Sequence, residues 1–184
     1  MQNPFTLTFG KSPLEPVERP VQTNEIVDAF TAEPVNQQMF IITGVRGSGK
    51  TVMMTEIARR LRENENWVVI ELNPSTDLLQ AMLAKLNSNK DCAAIIKSAK
   101  IDLSFFGFGV AIEGAPAITD AETAIITILE KMKKSGKRLL VTIDEVTNND
   151  FMKVFAGSFQ IFVRQDLPVF LLATGLYENI DELQ

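Results

Sequence analysis

The sequence predicts an α/β fold, a mainly parallel sheet with helices on its faces in a three-layer sandwich, and three observations lead to it. Short apolar runs of strand length alternate with longer stretches whose apolar residues recur at helical spacing. Between the first such run and the helical stretch after it stands Gly44-Val45-Arg46-Gly47-Ser48-Gly49-Lys50-Thr51, reading G-x-x-x-x-G-K-T. The later runs stop at polar residues: Asn73, then Asp144-Glu145, then Thr174. That placement matters because ligands of open parallel sheets gather at the carboxyl ends of the strands.

Composition limits the function classes. A chain of 184 residues, 46% hydrophobic and 22% charged, fits one globular domain with a real core. It has no apolar run of membrane-spanning length and no signal-peptide pattern, so the expectation is a cytoplasmic protein with no membrane partner. The single cysteine, Cys92, has no internal disulfide partner, which fits a reducing compartment. With no histidine, any acid–base chemistry must run through carboxylates, lysine, hydroxyls or a bound cation. The net charge of −5 argues against a nucleic-acid-binding segment. The local cluster Lys131, Lys133, Lys134, Lys137 and Arg138 reads as a solvated helix end, where cations complement the helix dipole, in preference to a phosphate-binding patch.

Two segments follow from the order of elements. Residues 1–36 read as an irregular wrap, punctuated by Pro4, Pro13, Pro16 and Pro20, and then a short helix capped by Thr23 with Ile26, Val27 and Phe30 inward. Residues 37–184 form the core. Its first strand is Met39–Thr43. A helix after the glycine-rich loop puts Met53, Met54, Ile57, Ala58 and Leu61 on one face, with Glu56 and Arg60 paired on the other. The second strand, Trp67–Leu72, ends at Asn73-Pro74. Leu78, Leu79, Met82, Leu83 and Leu86 then mark a helix, and a short one follows over 93–99.

Across 101–112 the alternation Ile101, Leu103, Phe105 shifts phase at Gly107 to Phe108, Val110, Ile112, which favours an inserted β-hairpin over the alternative, a glycine-rich loop covering the core. Thr119 and Glu122 form a capping box for a helix presenting Ala121, Ala124, Ile125, Ile128, Leu129 and Met132. The third strand, 138–143, runs into Asp144-Glu145. A helix with Phe151, Val154, Phe155, Phe159 and Phe162 inward comes next, and the fourth strand, 169–173, ends at Thr174-Gly175.

The glycine-rich run has the chemistry of a phosphate cradle. Its glycines let the backbone curl so that successive amides face an anion at a helix N-terminus. Gly44, Val45, Arg46, Gly47, Ser48, Gly49, Lys50, Thr51 and Val52 are therefore the candidate nucleotide-binding residues. Lys50 supplies a point charge for the β- and γ-phosphates, and the Thr51 hydroxyl is a ligand for Mg²⁺. Asp144, closing the run Leu139-Leu140-Val141-Thr142-Ile143, matches the acidic strand end that holds Mg²⁺ through water. Glu145 is then placed to polarise an attacking water, the general-base role that falls to a carboxylate here. An acidic pair after a strand can simply start a helix, but the upstream cradle favours ATP and Mg²⁺. A GTPase is disfavoured because Asn89-Lys90-Asp91-Cys92 fails N-K-x-D, its acid falling one place early.

These residues resemble the AAA+ branch of P-loop ATPases, through G-V-R-G-S-G-K-T, L-L-V-T-I-D-E and V-F-L-L-A-T-G. The opening N-P-F…F-G-K-S-P…V-E-R is similar to the lead-in of bacterial ATPases related to archaeal origin-recognition proteins. The resemblance implies that Thr174 takes the sensor-1 place, hydrogen-bonding the γ-phosphate or the water. It implies that Asn73 restrains Glu145, that Arg19 lies by the base or ribose, and that the fourth strand sits between the first and third. Such proteins form oligomers or take an arginine finger from a trans partner, for which Arg164 is the candidate, and they often bind DNA through a C-terminal winged helix. This sequence stops shortly after the fourth strand, so the expectation is a core truncated before the fifth strand and lid. The reading is an ATP-hydrolysing, Mg²⁺-dependent switch, with DNA transactions among the processes it would serve. A non-catalytic nucleotide-binding scaffold and a small-molecule kinase are the alternatives.

Overall fold

Four strands share one parallel sheet because each is a β-rich apolar run whose two faces both need covering. The computed structural model describes residues 20–108, 112–114 and 118–176. In chain order the elements are α1 (Pro20–Thr31), β1 (Met39–Thr43), α2 (Lys50–Arg62), β2 (Trp67–Leu72), α3 (Leu78–Ser88), α4 (Lys90–Ser98), α5 (Ala121–Lys134), β3 (Arg138–Val146), α6 (Asp150–Arg164) and β4 (Val169–Gly175). The sheet order is β1-β4-β3-β2, all pairs parallel, so the fourth strand lies between the first and third as the resemblance implied.

Side chains alternate across the sheet and sort the core into two layers. On one face Phe40, Ile42, Trp67, Leu140, Phe170 and Leu172 pack under α1 and α2. Phe30 is fully buried there, edge-on to Phe40 and Phe170 at centroid distances of 5.2 and 5.3 Å. On the other face Val68, Ile70, Leu139, Val141, Ile143 and Ala173 pack under α3, α4, α5 and α6. This is the three-layer sandwich expected.

Several local expectations are corrected. Thr23 lies inside α1, buried, rather than at its cap. The cap of α5 is Asp120, whose Oδ2 accepts from the Thr123 amide at 2.8 Å, not Thr119. Glu122 does not reach back to complete a box: its carboxylate accepts from the Ser158 hydroxyl on α6 at 2.5 Å. Along α6 the inward stripe is Met152, Phe155, Phe159 and Phe162, while Phe151 and Val154 stand 46% and 60% exposed. Those two sit about 100° around the helix from the stripe, on the wrong side of a stretch apolar nearly all round. α4 starts three residues before the expected 93 because Asn89 caps it, accepting from the Asp91 and Cys92 amides.

The expected hairpin does not form among the described residues. Residues 101–103 are irregular, Ser104–Phe106 is one 3-10 turn, and Gly107 turns the chain at φ 77°. Part of the predicted second strand, 109–111, lies outside the described residues. What organises this stretch is Asp102, only 3% exposed, whose Oδ1 accepts from the Ser104 amide at 2.9 Å and Oδ2 from the Ile112 amide at 3.0 Å. Ile101 and Leu103 still point inward, so the alternation reported burial correctly and pairing wrongly. Three residues of the basic cluster make ion pairs within the fold: Lys133 donates to Asp166, Lys137 to Asp91 and Arg138 to Glu33. The irregular wrap expected over residues 1–19, with Arg19, lies outside the described residues.

Hydrogen bonds from Ser104, and next from the Ile112 amide, hold the Asp102 carboxyl below its ordinary value of 3.8. A folded-state value below the unfolded one means stability present above pH 3.8 and lost as pH falls further. Asp102→Asn, lacking the charge and one acceptor, should be less stable than the parent at neutral pH. The gap should close below that pH in urea denaturation; a gap independent of pH would refute the role given to the carboxylate.

Candidate functional site

β1 ends at Thr43, and the chain turns through three positive-φ glycines into α2: Gly44 at 157°, Gly47 at 79° and Gly49 at 82°. Gly49 is the N-cap of α2 in the left-handed region and carries no capping side chain, so the first helical amides stay open to an anion. Gly44 is needed for space as well, since a Cβ there would stand 2.9 Å from Ser48 Oγ. The Ser48 amide donates to the Val45 carbonyl at 3.2 Å, and that of Met53 to the Gly49 carbonyl at 3.0 Å, closing the loop onto the helix.

Lys50 is buried, 8% exposed, and its ammonium donates to the Gly44 and Val45 carbonyls, both at 2.9 Å. The loop thus holds its own cation. Around it opens a cavity of ≈ 540 Å³, lined on one side by residues 46–52 and on the other by Glu145, Thr147, Gly175 and Leu176. A larger apolar groove of ≈ 750 Å³ lies between α6 and the open edge of β1, with Met39, Ile41, Phe155 and Phe159 in its walls. It borders none of the phosphate-loop amides, so size does not mark the chemistry here.

The acidic strand tip meets the loop directly. The Thr51 hydroxyl donates to Asp144 at 3.0 Å (Oδ2) and 3.2 Å (Oδ1). β3 continues past 143, where the sequence reading ended it: Ile143 pairs with Ala173 and Val146 with Gly175, leaving one extra residue in β3. That irregularity is a β-bulge, a device that re-aims a side chain. Within it Glu145 takes φ 53°, and its exposed side chain enters the cavity wall.

Thr174 is fully buried between the two acids. Its hydroxyl donates to Asp144 Oδ1 in a very short hydrogen bond and accepts from the Glu145 amide at 2.9 Å. Asn73 closes its own turn, with Oδ1 accepting from the Ser75 amide at 2.9 Å; no hydrogen bond joins it to Glu145 among the described residues. Arg164 ends α6, one helix length of roughly 20 Å from the end that follows Glu145.

Three cavity residues escaped the sequence reading: Thr147, Gly175 and Leu176. Asn149 escaped it too. It caps α6, and its amide donates to the Thr147 hydroxyl at 3.0 Å and the Pro74 carbonyl at 2.8 Å, tying the ends of β2 and β3 together. The cap signal was legible in Asn149-Asp150 before an apolar helix; the cross-link was not.

Residues 18–157 match the family model of an ATPase domain found predominantly in Archaea. The chain belongs to that family. Among solved structures this ATPase domain is similar to Cdc6p from Pyrobaculum aerophilum, with a TM-score of 0.54 and 13% sequence identity. The match covers 93% of this chain and 42% of that one, so the domain spans less than half the length of its structural relative. At that identity the likeness speaks for the α/β fold alone. No curated protein matches the sequence. No described helix is long and apolar enough to cross a membrane.

The loop geometry yields one stability test. A Cβ on Gly49 meets open space, so Gly49→Ala isolates the strain of φ 82°. The expected loss is about 1–2 kcal/mol in urea denaturation, and an unchanged midpoint would remove the argument.

Proposed function

We propose that this ATPase domain binds ATP with Mg²⁺ and hydrolyses it, acting as a nucleotide-driven switch within a larger assembly. The observation that carries the reading is the 3.0 Å contact between the Thr51 hydroxyl and the Asp144 carboxylate, beside an uncapped helix N-terminus. The uncapped first-turn amides of α2, with the loop before it, hold the β- and γ-phosphates, and Lys50 exchanges its two carbonyl partners for phosphate oxygens. That exchange replaces dipole contacts with a charged one.

The donor set at the strand tip fits Mg²⁺. Thr51 and Asp144 offer hard oxygen ligands side by side, and Mg²⁺ takes one or two protein oxygens with phosphates and water completing its shell. A cation held by Thr51 and Asp144 would supply charge neutralisation at the β- and γ-phosphates. Glu145, exposed at the cavity wall, accepts a proton from the attacking water, and the products are ADP and phosphate. Arg164 lies too far along α6 to serve its own site, which leaves it as a donor to a neighbouring subunit.

Lys50→Ala should abolish ATP binding in calorimetry, a loss of about 3–4 kcal/mol by analogy with other preorganised donors. Glu145→Gln should bind ATP like the parent and lose turnover by about 100-fold or more. Both variants binding as tightly as the parent would show the site to be elsewhere. A parent that binds but releases no phosphate in a single turnover would make it a nucleotide-binding scaffold.

A further inference from the structure

The resemblance casts Thr174 as a direct contact to the γ-phosphate, and its geometry gives it different work. The side chain is fully buried and does not border the cavity. A hydroxyl has one proton to donate, and that proton goes to Asp144 Oδ1. Its oxygen accepts the Glu145 amide at 2.9 Å, an amide that the β-bulge has taken out of the regular β3–β4 ladder. Glu145 holds a left-handed conformation that costs a non-glycine residue energy, so something must maintain it. The Thr174 oxygen accepts from its amide and so ties that backbone to β4.

The second half of the argument concerns Asp144. Two hydroxyls hold its carboxylate, Thr51 from α2 and Thr174 from β4. Thr51 is the one that faces the cavity, where its oxygen lone pairs are placed to take a cation while its proton stays on the acid. Thr174 is fully buried and does not border the cavity, so its bond to the acid is made from the protein side. We propose that Thr174 is a positioning residue without phosphate contact: a single buried hydroxyl that holds Asp144 from within the fold and fixes the backbone that presents Glu145. This rests on the Mg²⁺–ATP reading above and adds how its two acids are held in register.

The test compares Thr174→Val, which keeps the branched shape and loses the hydroxyl, with Thr174→Ser, which restores it. Exchange of the Glu145 amide, read by NMR without nucleotide, should quicken about tenfold or more in the valine variant. The Mg²⁺ concentration that half-saturates tight binding of a fluorescent ATP analogue should rise by a similar factor, because Asp144 is no longer aimed. With EDTA present, the ratio of ATP to ADP affinity should stay at the parent's value. The serine variant should recover most of each. Thr174→Cys, with its weaker donor, gives the same comparison at smaller amplitude should valine prevent folding.

A valine variant that loses its preference for ATP over ADP in EDTA, with the Glu145 amide unmoved, would overturn the proposal in favour of direct phosphate contact. A serine variant as defective as valine would overturn it in favour of packing. Neither the amide exchange nor the EDTA affinities depend on turnover, so a parent that fails to hydrolyse ATP would refute the catalytic reading and leave this measurement to stand separately.

Discussion

The Asp144 carboxylate is the point on which the arrangement turns. It accepts hydroxyls from α2 and from β4, two elements joined to β3 only through the fold. Those bonds exist because β4 is inserted between β1 and β3, which sets the ends of all three strands in one row. The glycine-rich loop leaves β1, the acids leave β3, and Thr174 closes β4 in the gap between. Had β3 paired with β1 directly, Thr174 would have no position from which to reach both Asp144 and the Glu145 amide.

The cores on either face of the sheet make that row rigid. Aromatic packing of Phe30, Trp67 and Phe170 under α1 and α2, and the aliphatic layer under the other helices, bury the strands on both sides. Chemistry borne on strand ends inherits that rigidity, whereas a bare loop would not. Asn149 extends it outward: one side chain caps α6, holds Thr147 in the cavity wall and grips the turn after β2. α6 in turn walls the apolar groove beside β1.

Most of the fold was legible because its signals are local. The strand–loop–helix around Gly44 to Thr51 needs only glycine conformations and an apolar run on each side, and both survive in any context. The failures share a cause. Thr119 and Asp120 are both good caps, and choosing between them depends on Glu122, which Ser158 of another helix draws away. Phe151 and Val154 look like core on a helix apolar all round; only the position of the sheet says which stripe is inside. The alternation at Ile101 and Leu103 reports two buried side chains, but a ladder needs a partner strand, and Asp102 satisfies the local amides instead.

The sequence by itself determined that a phosphate cradle and an acidic strand end occur in one α/β chain, because curled glycines, an uncapped helix start and a carboxylate closing an apolar run are properties of contiguous residues. The tertiary structure alone decided how they meet. The bulge that turns Glu145 into the cavity comes from the register of β3 against β4, and the burial of Thr174 between the acids comes from strand order. Hydrogen bonds between residues 30 and 93 positions apart, such as Thr174 to Asp144 and Thr51 to Asp144, depend on which strands lie side by side, and no local pattern encodes that.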